Sequence, residues 1–194
     1  AFLFINVKKS QIYFIFILSL IYSTSIIKNH DEILQLVSYK PRLTFAHETL
    51  GKALNKYKNQ NLLIAMTDVG ILPYYSDVHT LDIMGVCRNS DINYNLDYLK
   101  LSKPNILVFS ANGPLENDVD QGYKWHKELL EYKNLMSDRI IYAGSIKFSF
   151  HEYYAIFVDN KSPSYDLIVN DIKKIEQKND RKITLKKYLK LKYL

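Results

Sequence analysis

Three observations predict an α/β fold, with a small sheet flanked by helices and preceded by one transmembrane helix. Short apolar, β-branched runs recur at residues 62–66, 80–84, 105–109, 139–143 and 153–158. Stretches with apolar residues at spacings of three and four separate several of them. An uncharged run at residues 12–27 precedes them all. Short strands alternating with amphipathic helices imply a two-layer or three-layer sheet.

The uncharged run comes first. Lys8 and Lys9 precede it and Lys28 follows it. Sixteen residues rise about 24 Å as a helix, slightly less than a hydrocarbon core of about 30 Å. Gln11 and the flanking lysines can snorkel across the difference. The positive-inside rule puts Lys8-Lys9 in the cytoplasm. A signal peptide cleaved near Ser23-Thr24-Ser25 is the competing reading. The apolar residues upstream of the lysines favour the end of a larger membrane region instead. A buried core helix is disfavoured because the run is apolar on every face. Both leading readings put the residues after Lys28 outside the cytoplasm. The expected organisation is a membrane segment at 1–28, an extracytoplasmic α/β domain at 29–170 and a basic tail at 171–194.

Beyond the membrane segment, Asn29 or Asp31 can cap a short helix through Ile33, Leu34, Leu36 and Val37. Pro41 suits the first turn of a second helix, whose apolar face is Leu43, Ala46, Leu50, Ala53 or Leu54, and Tyr57. Residues 62–66 read as a buried strand, broken by Asp68 and Gly70. Pro73 fixes a turn before Tyr74-Tyr75. A second strand, residues 80–84, carries Asp82 and ends at Gly85. Residues 89–100 are polar. Pro104 introduces a strand at 105–109, and Ala111-Asn112-Gly113-Pro114 is a turn signal. A loop follows at 115–122, then a helix at 123–132. Residues 139–143 and 153–158 predict two strands that could form a hairpin. Ser162-Pro163-Ser164 is expected to cap a last helix with Tyr165, Ile168, Ile172 and Ile175 on one face.

Charge excludes some functions. The net charge is +6. Residues 171–194 hold nine basic and three acidic side chains, whereas the rest of the chain holds 17 of each sign. A neutral body gives nucleic acid no basic face. The basic tail, with Ile183, Leu185, Leu189 and Leu191 among its lysines, suits either an anionic membrane surface or a solvated end. Cys87 is the one cysteine, which excludes a disulfide framework and a cysteine metal site.

Motifs narrow the chemistry further. No Gly-rich phosphate loop is present, which disfavours a soluble nucleotide-binding enzyme. No serine lies in a nucleophile elbow. His47-Glu48 does not open a zinc-protease motif, because position 51 is Gly. The histidines have no ligand spacing, and no metal is expected. Glu116, Asp118 and Asp120 offer oxygen ligands to a cation but read more simply as a solvated loop. The central stretch offers more. Asp68 follows a strand end, where ligand sites of open α/β sheets lie. Tyr74 and Tyr75 can stack on sugar rings. Asp82 can accept from a sugar hydroxyl, and Arg88 can pair with a phosphate. These five are the candidate substrate-binding residues. The alternative is structural, with Asp68 capping a turn, the tyrosines packing on the sheet and Asp82 pairing locally.

The order of these pieces resembles a known family. It runs Arg42-x-x-x-Ala46, residues 62–70 with Asp68, Leu72-Pro73-Tyr74-Tyr75-Ser76, Leu81-Asp82-Ile83-Met84-Gly85, then Lys103-Pro104-Asn105-Ile106-Leu107-Val108. Over about residues 40–158 this is similar to the extracytoplasmic C-terminal domain of bacterial multi-spanning, polyprenyl-phosphate-sugar-dependent glycosyltransferases, the glycosyltransferase C superfamily. Val86 stands where those domains usually have Leu. The resemblance implies a polyprenyl-phosphate sugar as donor and a cell-envelope glycan, lipid or protein as acceptor. In that family the catalytic carboxylate lies in the first extracytoplasmic loop, a segment this chain lacks. The resemblance therefore implies a non-catalytic part of the enzyme, with no catalytic residue and no cofactor held in this chain. The competing hypothesis is a single-anchor module that binds envelope glycans. Membrane lipid is an expected partner under both.

Overall fold

The computed structural model describes residues 9–28, 30–84, 95–122, 126–149 and 152–179. Chain contacts divide it into two units, Ala1–Tyr39 and Lys40–Leu194.

The first unit contains α1 (Lys9–Lys28). Its side chains are described from Tyr13 to Ser23, and all of these are exposed. The large apolar ones range from 49 % exposed at Leu18 to 70 % at Tyr22. Ser23 Oγ donates to the Ser19 carbonyl at 2.8 Å, so its hydroxyl is satisfied within the helix. Among the described residues, no helix is long and apolar enough to cross a membrane. The expected transmembrane helix is therefore not supported by the fold.

One continuous helix, α2 (His30–Asn55), replaces the two helices expected around Pro41. Pro41 lies inside it and withholds one backbone donor. From Leu43 onward, inside the second unit, α2 carries an apolar stripe with Ala46, Leu50 and Leu54 buried.

The sheet of the second unit is built from β1 (Leu63–Met66), β2 (His79–Asp82), β3 (Ile106–Ala111), β4 (Ile140–Lys147) and β5 (Tyr153–Asp159), in the order β2-β1-β3-β5-β4. β1 pairs in parallel with both β2 and β3. β5 runs antiparallel to β3 and to β4, and β4 and β5 form the expected hairpin. β1 and β3 are nearly continuous apolar runs, as strands buried on both faces must be. A bulge between Tyr142 and Gly144 bends β4. There Glu176 Oε1 accepts from the Ser145 backbone N–H and hydroxyl, both at 3.0 Å.

Helices cover both faces, giving three layers. On one face α2 and α6 (Tyr165–Asn179) pack Leu50, Leu54, Ile168 and Ile172 against Ile64, Met66, Ile106, Val108, Ile156 and Val158. Asp171 clasps the two helices, accepting from Lys56 Nζ at 2.7 Å and Tyr57 OH at 2.9 Å. Burial, with the bond to Asp171, pushes the Tyr57 hydroxyl up to about 12. On the other face α4 (Leu96–Ser102) and α5 (Lys127–Leu135) pack Leu99, Leu129 and Tyr132 against Ala65, Leu107, Phe109 and Phe157.

Four local expectations change. Residues 89–100 were expected only to be polar, yet α4 begins at Leu96 because Asn95 Oδ1 accepts from the Tyr98 N–H at 3.0 Å. Pro73 sits in the first turn of a short helix, α3 (Leu72–Ser76), rather than in a plain turn. Ser162 Oγ is buried without a hydrogen-bond partner and does not cap α6. α6 also continues past position 171 to Asn179, with Ile172 and Ile175 buried.

Candidate functional site

The strand order places a reversal between β1 and β3. The connection from β1 to β2 carries α3, whose Leu72 joins the core on the α2 side. The connection leaving β3 for β4 carries α5, whose Leu129 joins the opposite core. Chain leaving the ends of β1 and β3 thus departs to opposite faces, the geometry that opens ligand crevices at the carboxyl ends of strands in α/β sheets.

Two residues past the end of β1 point to opposite layers, as alternation along extended chain requires. Thr67 Oγ1 lies 3.2 Å from His126 Nε2, and His126 Nδ1 lies 2.8 Å from the Asp120 carbonyl. That carbonyl can only accept, so Nδ1 carries the proton and Nε2 accepts from Thr67. His126 is completely buried, its ring edge-on to Phe109 at 5.5 Å. Desolvation holds its pKa below the ordinary histidine value, against the opposing pull of Asp120.

Asp68 faces the other layer. Tyr154 OH donates to Asp68 Oδ2 at 2.7 Å. His47 Nε2 lies 2.8 Å from the same hydroxyl and 3.1 Å from the Asp68 carbonyl. With the tyrosine proton committed to the carboxylate, both neighbours of Nε2 act as acceptors, so Nε2 carries the proton. Tyr154 is stacked between His47 (ring centroids 5.2 Å apart) and Phe148 (4.5 Å). Desolvation lowers the His47 pKa, and nearby Asp68 offsets part of that shift. Gly70 closes the pocket around this imidazole. It adopts φ +48°, and a Cβ there would lie 2.3 Å from His47 Cε1.

His47 and Tyr154 are buried, and Asp68 is the partly exposed member of the trio. A hidden, neutral imidazole with both neighbours engaged cannot reach a substrate proton. The arrangement suits holding Asp68 in one orientation at the rim of the β1 end.

The other sequence-predicted residues are dispersed. Asp82 ends β2, in register with Met66 of β1, and is buried and engaged in interactions of its own. Tyr75 is half-buried. It packs α3 on α2 where Gly51 leaves room, since a Cβ on Gly51 would lie 2.6 Å from that of Tyr75. Lys52 Nζ sits over the Tyr75 ring, 5.4 Å from its centroid. Tyr74 is 83 % exposed, edge-on to Tyr75 at 5.2 Å. Arg88 lies outside the described residues. The structure therefore brings Asp68 and Asp82 to neighbouring strand ends and gives Tyr75 a packing role.

The acidic loop is internally committed. Asp118 Oδ2 accepts from the Leu115 N–H, Asp120 Oδ1 accepts from the Gly122 N–H, and Glu116 pairs with Lys133 at 3.1 Å. Among the described residues no group of three or more potential ligands could hold a metal. Two open clefts lie elsewhere. One is at the amino ends of β1 and β3, and the other runs along α5.

The sequence reading missed His47, Tyr154, Thr67 and His126. A signal existed for His47, which falls four residues after Leu43 and three before Leu50, on the buried stripe of α2. Tyr154 and His126 reach the end of β1 only through sheet order and layer packing, which no local pattern encodes.

A family model described as a domain of unknown function (DUF8728) matches residues 34–170. No curated protein and no solved structure matches the chain.

Proposed function

The chain belongs to the DUF8728 family, and from that premise we propose that it is the non-catalytic, extracytoplasmic part of an integral-membrane glycosyltransferase. The whole enzyme would move a sugar from a polyprenyl-phosphate donor to a cell-envelope acceptor. The observation that carries the reading is the ordered motif itself. Asp68 follows β1, Pro73-Tyr74-Tyr75-Ser76 lie in α3 and Asp82 ends β2, the parallel edge of an α/β sheet. One further feature agrees with it. The described side chains of α1 are apolar or uncharged and exposed, and the sequence adds Ile12, Ile26 and Ile27 within flanking lysines, which suits a bilayer.

Deleting the gene in its native host and extracting membrane lipids tests this. The proposal requires a polyprenyl-phosphate sugar to accumulate and to disappear again on complementation. An unchanged lipid-linked sugar pool removes the reading. A reporter enzyme active only outside the cytoplasm, fused after Leu194, should be active.

One observation favours a second reading, a single-anchor glycan-binding module. Tyr74 presents an almost fully exposed ring beside Tyr75 and Lys52, and such rings stack on sugars. Under this reading the lipid pool is unchanged and the protein binds envelope oligosaccharides directly.

A further inference from the structure

We propose that the cleft at the amino ends of β1 and β3 binds a small phosphate-bearing molecule. The cleft holds about 460 Å³ and is lined by Asn61, Leu62, Leu63, His79, Ser102, Lys103 and Asn105. That volume falls within the range of small-molecule sites and exceeds a bare phosphate, leaving room for an organic part.

The lining chemistry selects an anion. Lys103 supplies a full positive charge and His79 an imidazole, and no carboxylate lines the cleft. Among the described residues, the side chains of Asn61, His79, Ser102 and Lys103 make no hydrogen bond or ion pair with the protein, leaving their donors free for a ligand. The C-terminal end of α4 also reaches the cleft and opposes an anion. A full helix contributes only about half a charge there, and α4 has seven residues, so the lysine outweighs it. Ser102 and Asn61 can serve ligand hydroxyls.

The floor is fixed. Asn105 Oδ1 accepts from the Leu63 N–H at 2.9 Å, and the Asn105 N–H donates to the Leu63 carbonyl at 2.8 Å. The walls are helix ends. Asn61 and Lys103 both adopt left-handed backbone, at φ 52° and φ 51°. Lys103 is the residue that ends α4, a position where glycine is the low-strain choice.

The test uses the isotope-labelled full chain in a neutral detergent at low salt. Backbone NMR shifts are followed against inorganic phosphate, glucose 6-phosphate and glucose. Glucose 6-phosphate is expected to shift the cleft residues selectively, inorganic phosphate to shift the same residues with weaker affinity, and glucose to shift none. Lys103→Gly should weaken binding by about tenfold or more while raising the melting temperature. The proposal is overturned if about 10 mM glucose 6-phosphate, far above the range of a useful site, gives no shift confined to the cleft. It is equally overturned if glucose binds as well as its phosphate, or if Lys103→Gly binds like the parent. Should that variant fail to fold, His79→Ala decides, and an unchanged affinity there overturns the site.

Discussion

Tyr154 OH donates to Asp68 Oδ2 at 2.7 Å, joining residues 86 positions apart in sequence. The bond reaches from β5 across β3 to the end of β1, so it ties the hairpin to the parallel half of the sheet. Tyr154→Phe keeps the ring stacked and removes only the hydroxyl. It leaves Asp68 Oδ2 without this donor and removes one acceptor of His47 Nε2. Loss of about 1–3 kcal/mol is expected, read as a lowered urea midpoint at unchanged slope. A variant as stable as the parent would mean that water replaces the bond at no cost.

Gly70 is irreplaceable for a reason that lies in another layer. Its φ of +48° disfavours any side chain, and a methyl group there would overlap the His47 imidazole. The imidazole cannot retreat, because Nε2 is held between Tyr154 and Asp68. Gly70→Ala should cost about 2–3 kcal/mol, combining backbone strain with overpacking. Gly122→Ala is the control. The nearest atom to its added Cβ is Asp120 Oδ1, at 3.5 Å, and stability should change by less than about 0.5 kcal/mol.

Both buried histidines make stability depend on pH. Desolvation lowers the folded pKa of His126 and of His47 below the ordinary value. The unfolded chain therefore binds more protons than the folded one just below that value. Stability should be full above about pH 6.5 and should fall as the solution is acidified below it. Urea midpoints measured across that range check the sign. His126→Asn should lower stability at neutral pH and reduce the slope. A slope unchanged in that variant would exclude His126 as a source.

Much of the fold is legible in the chain because it is local. The strands are apolar runs bounded by Gly, Pro and Asn, and α6 shows its buried stripe at Ile168, Ile172 and Ile175. Departures arise where a single side chain or the tertiary setting decides. Asn95 starts α4 by one capping bond in a polar stretch. Pro41 is absorbed into α2, although it withholds a backbone donor. The candidate site was legible only in part. Asp68 was found because it follows a strand, but its partners come from α2 and β5, and His126 comes from the other layer. Tyr75 looked like a ligand residue, and only the close approach of α3 to Gly51 reveals it as packing.

Arg139 and Asp159 pair at the far edge of the sheet, where β4 and β5 meet. Asp159 is buried and also accepts from the Lys161 N–H at 2.9 Å. Arg139→Met would leave the carboxylate facing one backbone donor in a dry setting. A loss of about 3 kcal/mol is expected, since breaking a buried pair strands a charge. The double variant Arg139→Met with Asp159→Asn should recover part of it. No recovery would show that the arginine stem, rather than the charge, carries the effect.

Tyr74 separates fold from function. Its ring is 83 % exposed and rests only edge-on against Tyr75. Tyr74→Ala should therefore change stability by less than about 0.5 kcal/mol. Tyr75→Ala should cost more, because it uncovers Gly51 and removes the ring beneath Lys52. If Tyr74 stacks on a sugar, titration calorimetry with envelope oligosaccharides should show the parent binding and the Tyr74→Ala variant weakened by about tenfold, the value of a lost stacking contact near 1.4 kcal/mol. Equal binding by parent and variant would put any glycan contact elsewhere, and no heat from the parent at millimolar sugar would count against the binding-module reading.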